Sequence, residues 1–252
     1  MDSILTLSHV NHAYHTLTGE TPALKDICIA VPNGSFCSIV GPSGCGKSTL
    51  LSIIAGLLPL EEGAILFQGK PISGPHPEHI GYMLQRDTLF EWLTIEENVL
   101  LGPRLQKEKT SAMLGYAYEL LHRYGLYPFR HYHPSQLSGG MRQRAALIRT
   151  LVLKPSLLLL DEPFSALDYQ TRLTVSSDIA SIIRREKKTI LLVTHDLSEA
   201  ISLSDRIFVL SRRPGTVIAT LDTHFPLSMT PLEKRSDPQF QTYFHQLWKE
   251  MT

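Results

Sequence analysis

One stretch of the chain combines glycine, lysine and hydroxyl side chains in the order G-x-x-x-x-G-K-[ST], a pattern that cradles phosphate groups. Residues 36–40 before it predict a short buried strand, and residues 50–58 after it predict an apolar helix. The glycines let backbone N–H groups approach phosphate oxygens, and the helix N-terminus adds a partial positive charge. In such a loop Lys47 contacts the β- and γ-phosphates and Ser48 binds Mg²⁺. The stretch consists of Gly41, Pro42, Ser43, Gly44, Cys45, Gly46, Lys47, Ser48 and Thr49.

The flanking elements favour this interpretation over a glycine-rich turn that matches by chance, because a phosphate loop joins a strand to a helix. Cys45 lies inside the loop at the start of the predicted helix, a position that can lower the pKa of a thiol. A small residue that only fills the loop is an equally good interpretation of Cys45. The sequence therefore leaves the redox sensitivity of Cys45 open.

Acidic, imidazole and amide side chains stand where the chain leaves three other predicted strands. A strand of consecutive leucines ends at Asp161 and Glu162, another apolar strand ends at His195, and a third ends near Gln85. Open α/β sheets bind ligands beyond the carboxyl ends of their strands. Taken singly, the two acids could cap a helix, His195 could be structural, and Gln85 carries no information. Their joint placement favours one site beside the phosphate loop.

A second short loop, L-S-G-G-M-R-Q-R at residues 137–144, opens a predicted helix that runs to about residue 153. Ser138 is placed to cap this helix, and the N-terminus of the helix favours an anion. This helix closes a region, residues 88–155, whose patterns are helical throughout and which begins with a capping-box spacing at Thr94. The region predicts a helical subdomain inserted into a parallel sheet.

Taken together, these motifs resemble the nucleotide-binding subunit of an ABC transporter, in the family's order and over essentially the whole chain. The segments that carry the resemblance are residues 41–49, Gln85, residues 137–144, L-D-E-P at 160–163, S-A-L-D at 165–168, and His195. Residues 85–94, 168–172 and 205–207 further resemble the nitrate/sulfonate/taurine importer branch, which also contains importers of thiamine-precursor pyrimidines. Glu91 departs from the proline of that branch, which leaves the substrate sub-branch open.

The resemblance implies a role for each residue near the bound ATP. Asp161 would hold Mg²⁺ directly or through water, and Glu162 would polarise the attacking water as general base. Gln85 would contact the metal, sense the γ-phosphate and report its state to a membrane partner. His195 would hold the γ-phosphate and orient the water. Tyr14 resembles the aromatic that stacks on adenine, although an ordinary surface aromatic is the alternative.

The resemblance also implies a homodimer with composite ATP sites. Ser138, Gly139 and Gly140 would complete the partner subunit's site, and Asp168 would help to couple the two sites. ATP binding would then close the dimer and hydrolysis would open it.

The expected fold class is α/β, a P-loop NTPase core with an antiparallel β subdomain and an inserted helical subdomain. All residues from 1 to 252 would form a single ABC ATPase domain. Residues 1–87 and 156–222 would form the nucleotide-binding core and the β subdomain, and residues 88–155 the helical subdomain. Residues 223–252 would form a C-terminal tail with one short amphipathic helix.

Composition places the chain among soluble globular proteins with ordinary charge. The net charge is zero, which gives no electrostatic indication of nucleic-acid binding, and three cysteines form no disulfide framework. The sequence shows no signal peptide and no apolar run long enough to span a membrane. We therefore expect a peripheral subunit at the cytoplasmic face, docked on separate permease subunits through residues 86–98 and working indirectly with an extracytoplasmic solute-binding protein.

Two other functions compete with import of a small solute. An exporter or lipoprotein-release ATPase would share every catalytic residue, so that only its docking surface and partners would differ. An ABC ATPase that acts on DNA or ribosomes is disfavoured, because the interval from Lys47 to Ser138 is too short for a coiled-coil arm. The sequence also has no C-x-x-C pair and no second phosphate loop. The identity of the solute, the turnover and the ATP stoichiometry cannot be taken from the sequence.

Overall fold

The computed structural model describes residues 2–16, 19–76, 79–105, 111–226 and 228–251. Ten strands form among these residues. They are β1 (Ser3–Thr16), β2 (Gly19–Pro32), β3 (Phe36–Val40), β4 (Glu62–Phe67), β5 (Lys70–Pro71), β6 (Ile80–Met83), β7 (Leu157–Asp161), β8 (Thr189–Val193), β9 (Arg206–Leu210) and β10 (Val217–Asp222).

Nine α-helices connect or cover the strands of the described chain. They are α1 (Lys47–Ile54), α2 (Ile95–Val99), α3 (Leu101–Leu105), α4 (Ser111–Arg123), α5 (Gly139–Leu151), α6 (Tyr169–Arg185), α7 (Leu197–Leu203), α8 (Pro231–Ser236) and α9 (Pro238–Met251). Within the described ranges, none of them is both long enough and apolar enough to cross a membrane.

The central sheet has six strands in the order β10-β9-β3-β8-β7-β6. The five strands from β9 to β6 run parallel, and β10 pairs antiparallel with β9 at one edge. Every residue of β3, β7 and β8 is buried, as expected of parallel strands covered by helices on both faces. Because β3, β7 and β8 are neighbours, the segments that follow them emerge side by side at one edge of the sheet.

The second sheet is antiparallel, in the order β2-β1-β4-β5, and confirms the predicted β subdomain. Strand β1 includes Tyr14, since its pairing with β2 continues through Tyr14 and Thr21. Gln68 and Gly69, which form the tight turn between β4 and β5, both have positive φ, the conformation that a two-residue hairpin favours.

The helices of residues 88–155 pack on the sheet rather than on one another alone. A single apolar cluster joins Leu120 and Leu147 of this region to Leu158 and Leu192 of the central sheet. The predicted caps are confirmed: Thr94 forms a complete capping box with Glu97, and the Ser138 hydroxyl accepts a hydrogen bond from the Met141 N–H.

Two sequence-based boundaries are wrong. The helix after the phosphate loop covers Lys47–Ile54 and not residues 50–58, because the glycine at position 56 adopts a φ of 73° and ends it. The C-terminal tail contains two helices and not one, since a capping box between Thr230 and Glu233 starts an additional helix, α8.

Candidate nucleotide-binding site

The phosphate loop connects β3 to α1, as predicted. Gly44 and Gly46 have φ values of 76° and 106°, which other residues rarely adopt. A Cβ at Gly46 would also lie 2.9 Å from the Ala23 carbonyl oxygen. The buried Lys47 ammonium donates to the carbonyl oxygens of Gly41 at 2.8 Å and Pro42 at 2.9 Å. These two hydrogen bonds fix the position of the positive charge over the loop.

The structure decides between the two interpretations that the sequence left open for Cys45, and it contradicts the one with a lowered pKa. The thiol is buried, and burial raises its pKa because the thiolate loses solvation. The positive charge of Lys47 opposes this shift without overcoming it. Cys45 therefore behaves as a small packing residue.

A hydroxyl and a carboxylate from different elements meet beside the loop. The Ser48 Oγ donates to the Asp161 Oδ1 at 3.0 Å, and the Tyr82 hydroxyl donates to the Asp161 Oδ2 at 3.3 Å. Asp161 is only 6% exposed, and burial raises the pKa of its carboxyl group. Mg²⁺ prefers oxygen ligands and is bound by one or two carboxylates together with phosphates and water. The donor set of Ser48 and Asp161 fits that ion.

Glu162, His195 and Gln85 come together at the ends of neighbouring strands. The Nδ1 of His195 lies 3.1 Å from the Glu162 Oε2, and the Nε2 of Gln85 donates to the same oxygen at 3.4 Å. Glu162 itself has a φ of 43°, a costly conformation for a residue with a side chain. Its N–H donates to the Val193 carbonyl at 2.8 Å, so β8 holds this conformation in place.

These elements surround one polar cleft of about 350 Å³. The Tyr14 ring lines it and is 40% exposed, while the Tyr14 hydroxyl lies 2.9 Å from the Thr49 Oγ1. The described residues that line the cleft are Tyr14, Ala23, Ser43, Gly44, Gly46, Lys47, Ser48, Thr49, Gln85, Glu162 and Arg213. The cleft thus brings Tyr14 and much of the phosphate loop together with Gln85 and Glu162. His195 and Asp161 do not line it themselves but contact Glu162 and Ser48, which do.

Ser138, Gly139, Gly140 and Asp168 are all described, and all lie outside this cleft. Ser138 is exposed at the start of α5. Asp168 is exposed at the start of α6, and its Oδ1 accepts a hydrogen bond from the Thr171 N–H at 3.1 Å. Hydrogen bonds from Thr171 lower the pKa of the Asp168 carboxyl. Within one subunit these residues do not reach the phosphate loop.

Three residues of the site escaped the sequence-based prediction. Tyr82 contacts Asp161, Ser165 bonds to the Glu162 carbonyl at 3.0 Å, and Arg213 lines the cleft. Tyr82 lies three residues before Gln85, and Ser165 lies three residues after Glu162. This closeness in sequence to predicted site residues could have indicated both. Arg213 belongs to none of the sequence motifs, and nothing in the sequence indicated it.

Comparison with known proteins agrees with this geometry. Residues 24–165 match the family described as ABC transporter. The uncharacterized ABC transporter ATP-binding protein YtlC of Bacillus subtilis is 48% identical over 99% of this chain and 96% of its own. The taurine import ATP-binding protein TauB of Pelagibacter ubique is 43% identical over 85% of this chain and 81% of its own. The aliphatic sulfonates import ATP-binding protein SsuB of Bacillus licheniformis is 40% identical over 92% of this chain and 88% of its own.

A solved structure shows the same fold. The dimeric ATP-binding cassette MJ0796, in a post-hydrolysis state bound to ADP and Pi, superposes with a TM-score of 0.74 at 30% identity. The match covers 88% of this chain and 100% of that one. The chain therefore belongs to the ABC transporter family. Within it, this chain is an ATP-hydrolysing subunit, and the predicted resemblance to the ATP-binding proteins of taurine and sulfonate importers is confirmed.

Proposed function

We propose that this ATPase energises the import of a small solute, of the taurine or aliphatic sulfonate class, through a separate membrane permease. The observation that carries the proposal is the similarity along the chain to relatives named as taurine and sulfonate import ATP-binding proteins. The cleft beside the phosphate loop supplies the ATPase site for that work.

Glu162 acts as the general base, because its carboxylate follows β7 beside the phosphate loop and contacts His195. His195 orients the water and the γ-phosphate. Gln85 senses that phosphate through the Glu162 Oε2, which both Gln85 and His195 contact. Lys47 would bind the phosphates, and Ser48, Asp161 and Gln85 would hold Mg²⁺. Mg²⁺, when bound, neutralises charge that develops on the phosphate oxygens.

Two copies of the chain assemble head to tail, so that the segment from Ser138 to Gly140 completes the site of the other copy. The exposure of Ser138 and Asp168 outside their own cleft supports this arrangement. The comparison protein MJ0796 forms a dimer.

The permease docks beside the segment that follows Gln85. A cavity of about 480 Å³ opens there. The lining of the cavity is mostly apolar and includes Ala55, Leu57, Ile80, Phe90, Leu101, Leu105 and Leu153. Nearby, the side chain of Trp92 is 73% exposed, and its ring centre lies 4.9 Å from that of Phe90. A short amphipathic permease helix fits such a groove. In this arrangement residues 1–252 act as one ABC ATPase domain at the cytoplasmic face of the membrane.

Affinity capture tests the proposal. Tagged Glu162→Gln protein is captured with ATP from detergent-solubilised membranes, and the partners are identified by mass spectrometry. A multi-span permease together with a solute-binding protein would support import, and that binding protein can be screened with taurine, alkyl sulfonates, nitrate and pyrimidines. Recovery of a permease with a large external domain would favour export instead. Recovery of soluble partners alone would refute a transport role, with Lys47→Ala as the control that weakens ATP binding.

A further inference from the structure

Three potential metal ligands of different chemistry converge on the outer face of the antiparallel sheet. The Nδ1 of His9 lies 2.6 Å from the Asp26 Oδ1 and 3.8 Å from the Cys28 Sγ. The three ligand atoms all lie within 4.8 Å of one another, and all three residues are exposed. None of them lines the nucleotide cleft.

The backbone is specially shaped to bring these side chains together. The pairing of β1 with β2 shifts register between Leu7 and Val10, and both His9 and Asp26 have a φ of 52°. Asn11 holds both positions, since its Nδ2 donates to the His9 carbonyl at 3.0 Å and its Oδ1 accepts from the Asp26 N–H at 2.8 Å. Bulges of this kind re-aim side chains at functional sites.

A catalytic triad and a disulfide both fit this cluster less well than a metal ion does. A cysteine–histidine–aspartate triad needs the thiol and the carboxylate on different ring nitrogens. Here the Asp26 Oδ1 and the Cys28 Sγ both approach the Nδ1 of His9. A disulfide from Cys28 is disfavoured because the other two cysteines, Cys37 and Cys45, are buried.

We propose that His9, Asp26 and Cys28 bind a Zn²⁺ ion. Zn²⁺ accepts imidazole, carboxylate and thiolate ligands together, and a site with three protein ligands keeps a fourth position for water. Tetrahedral bonds of about 2.0–2.3 Å place ligand atoms roughly 3.3–3.8 Å apart. The observed separation of His9 Nδ1 and Cys28 Sγ already meets this value, and the Asp26 oxygen must move outward by less than about 1 Å.

Binding is coupled to proton release. The Cys28 thiol gives up its proton to form the ligating thiolate, and any proton on the Nδ1 of His9 leaves for solvent. No redox change or further reactant is required. The bound ion would link β1 to β2 and stabilise the β subdomain against unfolding.

The test uses full-length protein freed of metal with a chelator and kept in excess Mg²⁺, which prefers oxygen ligands and competes with Zn²⁺ at Ser48 and Asp161 of the nucleotide site. Zn²⁺ is titrated by calorimetry, and Co²⁺ is added separately to look for thiolate-to-cobalt charge-transfer absorption. We expect one ion per chain and a thiolate band. Cys28→Ser should abolish the band, and His9→Asn should weaken Zn²⁺ binding strongly, while the matched surface control His245→Asn should do neither.

Asn11→Ala should weaken binding by about 10–100-fold, as expected when a group that orients metal ligands is removed. Circular dichroism checks that each variant is folded. If variants fail to fold, the rate of Cys28 alkylation in the wild-type protein tests the proposal instead. Bound Zn²⁺ must slow this reaction, because it occupies the thiolate. Equal Zn²⁺ affinity in wild type and Cys28→Ser, absence of Zn²⁺ binding, or alkylation unaffected by Zn²⁺ would each overturn the proposal.

Discussion

Glu162 combines an unusual backbone conformation with the position expected of a general base. Its left-handed φ is maintained by the hydrogen bond to Val193 and by Ser165, whose N–H and hydroxyl both reach the Glu162 carbonyl. In this conformation the Glu162 Oε2 lies 3.1 Å from the His195 Nδ1. Strain of this kind persists only where the surrounding structure fixes it.

Glu162→Gln should retain ATP binding and lose turnover by about 10²–10⁴-fold, because an amide cannot take the proton of the attacking water. Phosphate release measures turnover, and size-exclusion chromatography with ATP should reveal a trapped dimer. Lys47→Ala, which removes the phosphate-binding ammonium, should lose both binding and turnover. Turnover of the Gln variant at the wild-type rate would exclude Glu162 as the base.

Glu199 is a buried acid that the ATPase mechanism does not use. It is 4% exposed and accepts a hydrogen bond from the Thr194 hydroxyl, yet burial raises the pKa of its carboxyl from 4.5 to about 7. Asp196 adds to the shift, while Arg172 and Arg235 oppose it. The folded protein therefore binds a proton that the unfolded chain has released in this pH range.

A raised carboxyl pKa makes stability fall as pH increases from about 4.5 to about 7. Glu199→Gln removes this pH dependence. Between pH 4.5 and pH 7 the free energy of unfolding of the variant should therefore rise relative to that of the wild type, by about 3 kcal/mol in total. Urea unfolding at pH 5 and pH 8 measures the difference. A difference between variant and wild type that does not change with pH would contradict the expectation.

At the scale of elements, Asn98 fixes the segment that leads into α2. Its buried side-chain amide donates to the carbonyls of Phe90, Leu93 and Thr94, and its Oδ1 accepts from the Phe90 N–H at 2.8 Å. One residue thereby shapes the proposed docking surface around Phe90 and Trp92.

Asn98→Ala should lower the free energy of unfolding by about 2–4 kcal/mol, because several buried backbone groups lose their partner. Capture of the permease should decline while ATP affinity is unchanged, since the nucleotide cleft does not include this segment. Glu91→Gln, an exposed change in the same segment, is the control. A loss of stability below about 0.5 kcal/mol, the size of an ordinary surface effect, would show that the amide does not hold the segment.

At the scale of the whole molecule, the proposed ATP site needs residues from a second copy of the chain. Ser138 and Asp168 each begin a helix, α5 and α6, and these two helices pack against each other away from the phosphate loop. A symmetric dimer presents the same surface from both copies and would therefore form two equal sites.

Mixed dimers of Ser138→Arg and Lys47→Ala subunits test this arrangement. If Ser138 acts on the partner's ATP, each mixed dimer keeps at most one intact site, and both defects fall on the other. Trapped nucleotide should then reach about one per dimer, as expected for one surviving site of two. If Ser138 instead acted within its own subunit, each site of the mixed dimer would carry one defect, so a mixed dimer that traps no nucleotide would contradict action in trans. The two homodimers serve as controls.

The sequence by itself determined the phosphate loop, the acidic strand end and the caps at Thr94 and Ser138. These features depend on residues that are close together in the chain, so that local spacing carries the chemistry. It also indicated the class of the central sheet, because β7 and β8 are largely apolar.

Only the tertiary structure decided which residues from distant segments meet. It placed Tyr82 against Asp161, brought Arg213 to the cleft, and joined His9 to Asp26 and Cys28 across a bulged strand pair. It also buried Cys45, which decided between the two interpretations that the sequence left open for that residue. Strand register, bulges and burial follow from packing of the whole chain, and no spacing between neighbouring residues encodes them.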